Sequence, residues 1–74
     1  METVFIKSDY ITLGQFLKYI GLIGNGGEAK IAVLSHKILI NNELESRRGR
    51  KIYPRDQVKI DKMTYLVLSN HENK

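Results

Sequence analysis

Arg47, Arg48, Arg50 and Lys51 place four cations within five residues, with Gly49 letting the backbone bend between them. A guanidinium is a planar fork of N–H donors that matches a phosphate and also stacks on an unpaired base. Lys30 and Lys37 extend this chemistry upstream, and Asn41 adds an amide that can hydrogen-bond to sugar or phosphate. These residue types bind anions. Nothing beside them forms a nucleophile with its base. His36 and His71 are isolated, with no cysteine or second histidine at ligand spacing, so neither a metal site nor a covalent mechanism is expected. Glu43 and Glu45 share a strand face in the manner of a catalytic pair, but at a hairpin they are expected to face solvent. The competing reading of the basic loop is a solvated turn whose arginines pair with those two glutamates.

The charge is unevenly spread. From Lys30 to Lys59 eight basic residues stand against three acids, whereas the rest of the chain has four bases and five acids. A basic half on a near-neutral frame suits an acidic partner. Stacking aromatics are few. Phe5 and Phe16 read as core. Among Tyr10, Tyr19, Tyr53 and Tyr65, Tyr53 lies nearest the basic loop and is expected to be a half-buried ring anchoring a sheet. Recognition of folded nucleic acid by shape and phosphate follows better from this set than reading of single strands.

Seventy-four residues make one small domain, expected over 1–74. There is no cysteine to reinforce it, which suits a reducing cytoplasm. No apolar run approaches the roughly 20 residues of a membrane helix, and the first residues lack the pattern of a signal peptide. A monomer is expected. The segment Gly24-Asn25-Gly26-Gly27-Glu28-Ala29 formally fits a dinucleotide fingerprint, but it follows a helix rather than a strand, in a chain too short for the βαβ unit. Its glycines are assigned to a tight turn between helices.

The positioning elements can be read along the chain. Thr3 to Ile6 is a short strand. Thr12 and Gln15 form a capping box for a helix over 13–20, with Ile11 and Phe16 as its hydrophobic staple and Gly21 as its left-handed stop. Asn25 and Glu28 form a second box, opening a helix that places Ala29, Ala32 and Val33 on one face and fades by Ser35-His36. His36 is expected at positive φ. Lys37 to Ile40 is a strand, Asn41-Asn42 a type I′ turn, and Glu43 to Glu45 the return. Ser46 to Lys51 is a loop. Pro54 to Gln57 turns into Val58-Lys59-Ile60, and Thr64 to Leu68 is the last strand, before a frayed polar tail over 69–74. Leu17, Ile20, Ala32 and Val33 are expected to pack on Ile38, Ile40, Val58 and Ile60. The class is α+β, with two short helices on a small, mainly antiparallel sheet.

These residues resemble the RNA-binding domain named after ribosomal small-subunit protein S-four, the αL motif. Ala29-Lys30 fits its second helix, Ile38-Leu39-Ile40-Asn41 fits its strand at the expected spacing, and Pro54-Arg55-Asp56-Gln57-Val58 matches its later Pro-Gly-Asp and aliphatic strand. The resemblance covers about 11–60. Gly26 to Lys30, taken with Arg47 to Lys51, is closest to the small stand-alone branch, the YaaA/YbcJ-like proteins. His36, Asn42 and Arg55 stand where the family carries glycine, and His and Asn tolerate left-handed geometry. Arg55 implies a different turn type. Gly26 stands where many members carry an arginine, so one usual phosphate ligand is missing.

The resemblance implies that RNA lies against the second helix and hairpin. The reading is therefore a non-catalytic module for structured RNA, ribosomal RNA or a ribonucleoprotein. Its site residues are Lys30, Lys37, Asn41, Arg47, Arg48, Arg50 and Lys51, and no cofactor is involved. The alternative is an adaptor that docks an acidic protein partner. A ubiquitin-like carrier is disfavoured, because the chain ends His-Glu-Asn-Lys rather than Gly-Gly. Phosphate contacts alone leave DNA open.

Overall fold

Apolar residues alternate along Ile38–Ile40 and Gln57–Ile60, and these stretches become the centre of a five-stranded sheet. The computed structural model describes residues 1–70. Its elements run β1 (Glu2–Ile6), β2 (Ile11–Thr12), α1 (Leu13–Tyr19), a 3-10 turn (Gly26–Glu28), α2 (Ala29–Ser35), β3 (Ile38–Ile40), β4 (Glu43–Leu44), β5 (Lys51–Ile52), β6 (Gln57–Ile60) and β7 (Met63–Ser69). The main sheet has the order β1-β7-β6-β3-β4. β1 pairs in parallel with β7, and every other pairing is antiparallel. The fold is thus α+β with two short helices on a mainly antiparallel sheet.

The core lies between the helices and one face of the sheet. Leu13, Phe16 and Leu17 of α1 and Ala29, Ala32 and Val33 of α2 are buried against Val4, Ile6, Ile38, Ile40, Val58, Ile60 and Val67. Ile20 packs on this cluster but is only partly buried. Phe16 meets Tyr65 edge to face, with centroids 5.4 Å apart. Phe5 points to the other face of β1 and is only half-buried. Burying each large apolar side chain contributes about 1.5–3 kcal/mol.

Local chemistry sets the helix ends. Thr12 accepts from the Gln15 backbone while the Gln15 side chain accepts from the Thr12 backbone, and Gly21 follows at φ 82°. Asn25 and Glu28 make the second box, but they cap the 3-10 turn that leads into α2. Asn41 and Asn42 take φ 52° and 70°, as a type I′ hairpin requires.

Several expectations need correction. His36 has φ −115° and ψ 148°, so α2 ends by passing straight into extended chain. The Nδ1 of His36 lies 2.7 Å from Asp61 Oδ2, which anchors that exit. The left-handed residue of the next hairpin is Asp61 itself, at φ 53°. Arg55 adopts φ 80°, keeping the left-handed position that a glycine would occupy. Its N–H donates to the Val67 carbonyl at 2.6 Å and Asp56 N–H donates to Tyr53, so the turn is tied on both sides. Lys51 belongs to a strand rather than a loop: β5 pairs with β2 through Thr12–Lys51 and Ile11–Ile52. Two-residue strands carry too little alternation to be seen in sequence. Ser69 completes β7 instead of beginning a tail, and the expectation for 71–74, including His71, lies outside the described residues.

Candidate nucleic-acid interface

The basic loop is fixed at both ends. Leu13 N–H donates to the Arg50 carbonyl and Gly14 N–H to the Arg48 carbonyl, each at 2.8 Å. The loop therefore satisfies first-turn donors of α1 that lack an intrahelical partner. Gly14 permits this approach: a Cβ there would lie 3.3 Å from Ala29 Cβ and 3.5 Å from the Arg48 carbonyl oxygen. The small residues Gly14 and Ala29 let α1, α2 and the loop meet.

Glu45 fixes the middle of the loop. Glu43 is exposed to solvent as expected, whereas Glu45, just past β4, turns inward. The Glu45 N–H donates to Ile38, extending the β3–β4 ladder, and Glu45 is only 7% exposed. Its carboxylate accepts five hydrogen bonds. Arg47 binds it bidentately at 2.9 and 3.0 Å, Arg50 reaches it at 2.7 Å, and the Ser46 and Arg47 backbones supply the rest. The Arg47 hydrogen bonds, joined by the one from Arg50, outweigh burial and hold the Glu45 carboxyl well below the usual carboxylate range. Solvent exposure of Glu45 is thus corrected, and its pairing with arginine is real for Arg47 and Arg50.

Arg48 is exposed and, unlike Arg47 and Arg50, makes no ion pair with Glu45, and two grooves meet at it. One, of about 380 Å³, is lined by Thr12, Gly14, Gln15, Lys18, Gly26, Ala29, Arg48 and Gly49. The other, of about 270 Å³, is lined by Lys30, Val33, Leu34, Ser46 and Arg48. Lys18 and Lys30 therefore flank Arg48 on either side. Sequence reading missed Lys18. Its signal was its position one helical turn after Gly14, the point of close approach on α1.

The remaining predicted residues are dispersed. Lys37 is exposed at the start of β3, where its N–H donates to Asp61 Oδ1 at 3.0 Å. This bond and the larger effect of His36 lower the Asp61 pKa. Asn41 lies beyond the other end of β3. Its side chain donates to Asp56 and accepts from the Gln57 N–H, pinning the hairpin to β6. Lys51 leaves the loop on β5, with its ammonium 4.9 Å from the Tyr10 ring centroid. Tyr53 is 47% exposed rather than an embedded anchor. Among the described residues, no group of three or more His, Asp or Glu is arranged to hold a metal ion, and no helix is long and apolar enough to cross a membrane.

Known proteins align with this architecture. Over 58 residues, 78% of this chain and 82% of the other, the sequence is 47% identical to a Bacillus subtilis (strain 168) protein named "Probable ribosome maturation protein RlbA". The family model of the S4 domain matches residues 4–68, which takes in both helices and almost the whole of the main sheet. The chain belongs to the S4 domain family.

Proposed function

We propose that this protein is a non-catalytic RNA-binding module that takes structured RNA, ribosomal or ribonucleoprotein, on the surface where α1, α2 and the basic loop meet. The observation that carries this reading is the exposed Arg48 at the junction of two grooves, with Lys18 on one side and Lys30 on the other. Cations held on two helices and a docked loop match phosphates spaced along a folded backbone better than a single flexible arm does. A relative named for ribosome maturation supports a ribosomal target. Arg47 and Arg50 act chiefly by shaping the loop through Glu45, and each keeps donors for a phosphate. Lys51 extends the cationic surface outward, while Lys37, beside Asp61, lines neither groove and Asn41 holds the hairpin.

The test replaces Lys18, Lys30 and Arg48 with alanine and measures binding to a ribosomal RNA fragment at moderate salt. These side chains lie outside the Glu45 cluster, so the fold should persist. Affinity is expected to fall by an order of magnitude or more. Unchanged affinity in the folded triple variant would remove the assignment.

A second reading, docking of an acidic protein, is favoured by Ile31, Leu34 and Leu44, which are 70–72% exposed around this surface. A pull-down that survives ribonuclease treatment would select it.

A further inference from the structure

Beyond the two grooves, the register of the small sheet sets two aromatic residues side by side. Ile11 pairs with Ile52 and Thr12 with Lys51, so the next cross-strand pair outward is Tyr10 with Tyr53. Side chains alternate across a strand. Ile52 is buried, and Lys51 and Tyr53 on either side of it are exposed. Tyr10 and Tyr53 are 39% and 47% exposed, with ring centroids 5.6 Å apart and planes tilted by 46°. Lys51, diagonal to Tyr10 in this register, holds its ammonium over that ring. Thr12, the partner of Lys51, lines the same groove as Lys18 and Arg48. The aromatic pair therefore continues the cationic surface along one edge of the molecule.

We propose that Tyr10, Tyr53 and Lys51 form a platform for an unpaired base that emerges from the structured RNA, with the rings stacking on the base and Lys51 meeting the adjoining phosphate. The proposal rests on the RNA-binding reading above and adds a single-stranded element to its target. Two exposed rings that hold each other in place lose little freedom when a base covers them. Stacking on an aromatic is indifferent to base identity, so this contact recognises a flanking single strand without reading its sequence. The ammonium 4.9 Å from one ring centroid puts positive charge beside the stacking surface, which a tyrosine pair that merely shields a sheet edge does not need.

The test compares two probes, a blunt RNA hairpin and the same hairpin carrying a single-stranded oligouridine overhang. The parent should prefer the overhang probe, and Tyr10 and Tyr53 ring resonances should shift upfield with that probe alone. The Y10L/Y53L variant should lose this preference, with affinity for the overhang probe falling about tenfold and affinity for the blunt hairpin unchanged. The Y10F/Y53F variant should keep it, since stacking needs no hydroxyl. Equal binding of both probes by the parent, or an undiminished preference in the folded leucine variant, overturns the platform and leaves the phosphate grooves standing. A parent that binds neither probe overturns both readings.

Discussion

Glu45 makes one residue's environment decide what its neighbours can do. Leu44 points outward from β4 while Glu45 turns in opposite the buried Ile38, an inversion of the usual pattern for a half-buried strand. The buried carboxylate is tolerated because it is saturated with donors, two of them guanidinium groups. Glu45→Gln removes the charge while keeping the shape. At neutral pH it should lower unfolding stability by about 1–3 kcal/mol, read by chemical denaturation. The pH dependence has a definite sign. The folded carboxyl titrates well below its unfolded value, so it stabilises above the unfolded pKa of about 4.3 and loses this contribution as pH falls toward the folded pKa. Asp61, lowered chiefly by His36, acts in the same direction. Denaturation between pH 5 and 2 should therefore be steeper in the parent than in Glu45→Gln.

The elements of this domain are short, and their ends matter more than their lengths. α1 and α2 have seven residues each, too few to persist alone. They exist because Thr12 and Asn25 cap their approaches and Phe16, Leu17 and Val33 bury against the sheet. Phe16→Ala should cost about 3–5 kcal/mol. That approaches the whole margin of a domain this small, about 3–5 kcal/mol. The variant is expected to lose its cooperative thermal transition in calorimetry. The β3–β4 turn is held by two left-handed asparagines, geometry that a β-branched residue strongly resists. Asn42→Val should destabilise by about 1–2 kcal/mol, measured by urea denaturation, whereas Asn42→Gly should be neutral within a few tenths of a kcal/mol.

At the scale of the whole molecule, the interface is a matter of net field and spacing. The segment from Lys30 to Lys59 carries the chain's excess of positive charge, and folding brings Lys18 of α1 beside it. If about 4–6 phosphates are neutralised, log affinity should fall with log salt with a slope of roughly −3 to −5. Replacing Arg48 alone should make that slope shallower by about one unit, since each lost phosphate contact removes one set of released counterions. A fluorescence-anisotropy titration at several salt concentrations measures both.

Much of this was written in the sequence. The two capping boxes, the left-handed Gly21 and Asn41-Asn42, and the alternation of Ile38, Ile40, Val58 and Ile60 depend on contacts within a few residues, so composition and spacing determine them. The family resemblance likewise rested on local motifs. The β2–β5 pairing, the inward turn of Glu45 and the extended exit at His36 were not legible. Each depends on a partner that is distant in sequence or set by the final packing: Lys51 for Thr12, Arg50 for Glu45, Asp61 for His36. The candidate site divides the same way. Sequence named the cations, because charge is a property of the residue. Only tertiary structure decided that Arg47 and Arg50 bind Glu45, that Arg48 stands exposed between Lys18 and Lys30, and that Tyr10 meets Tyr53, because exposure and proximity belong to the packed chain.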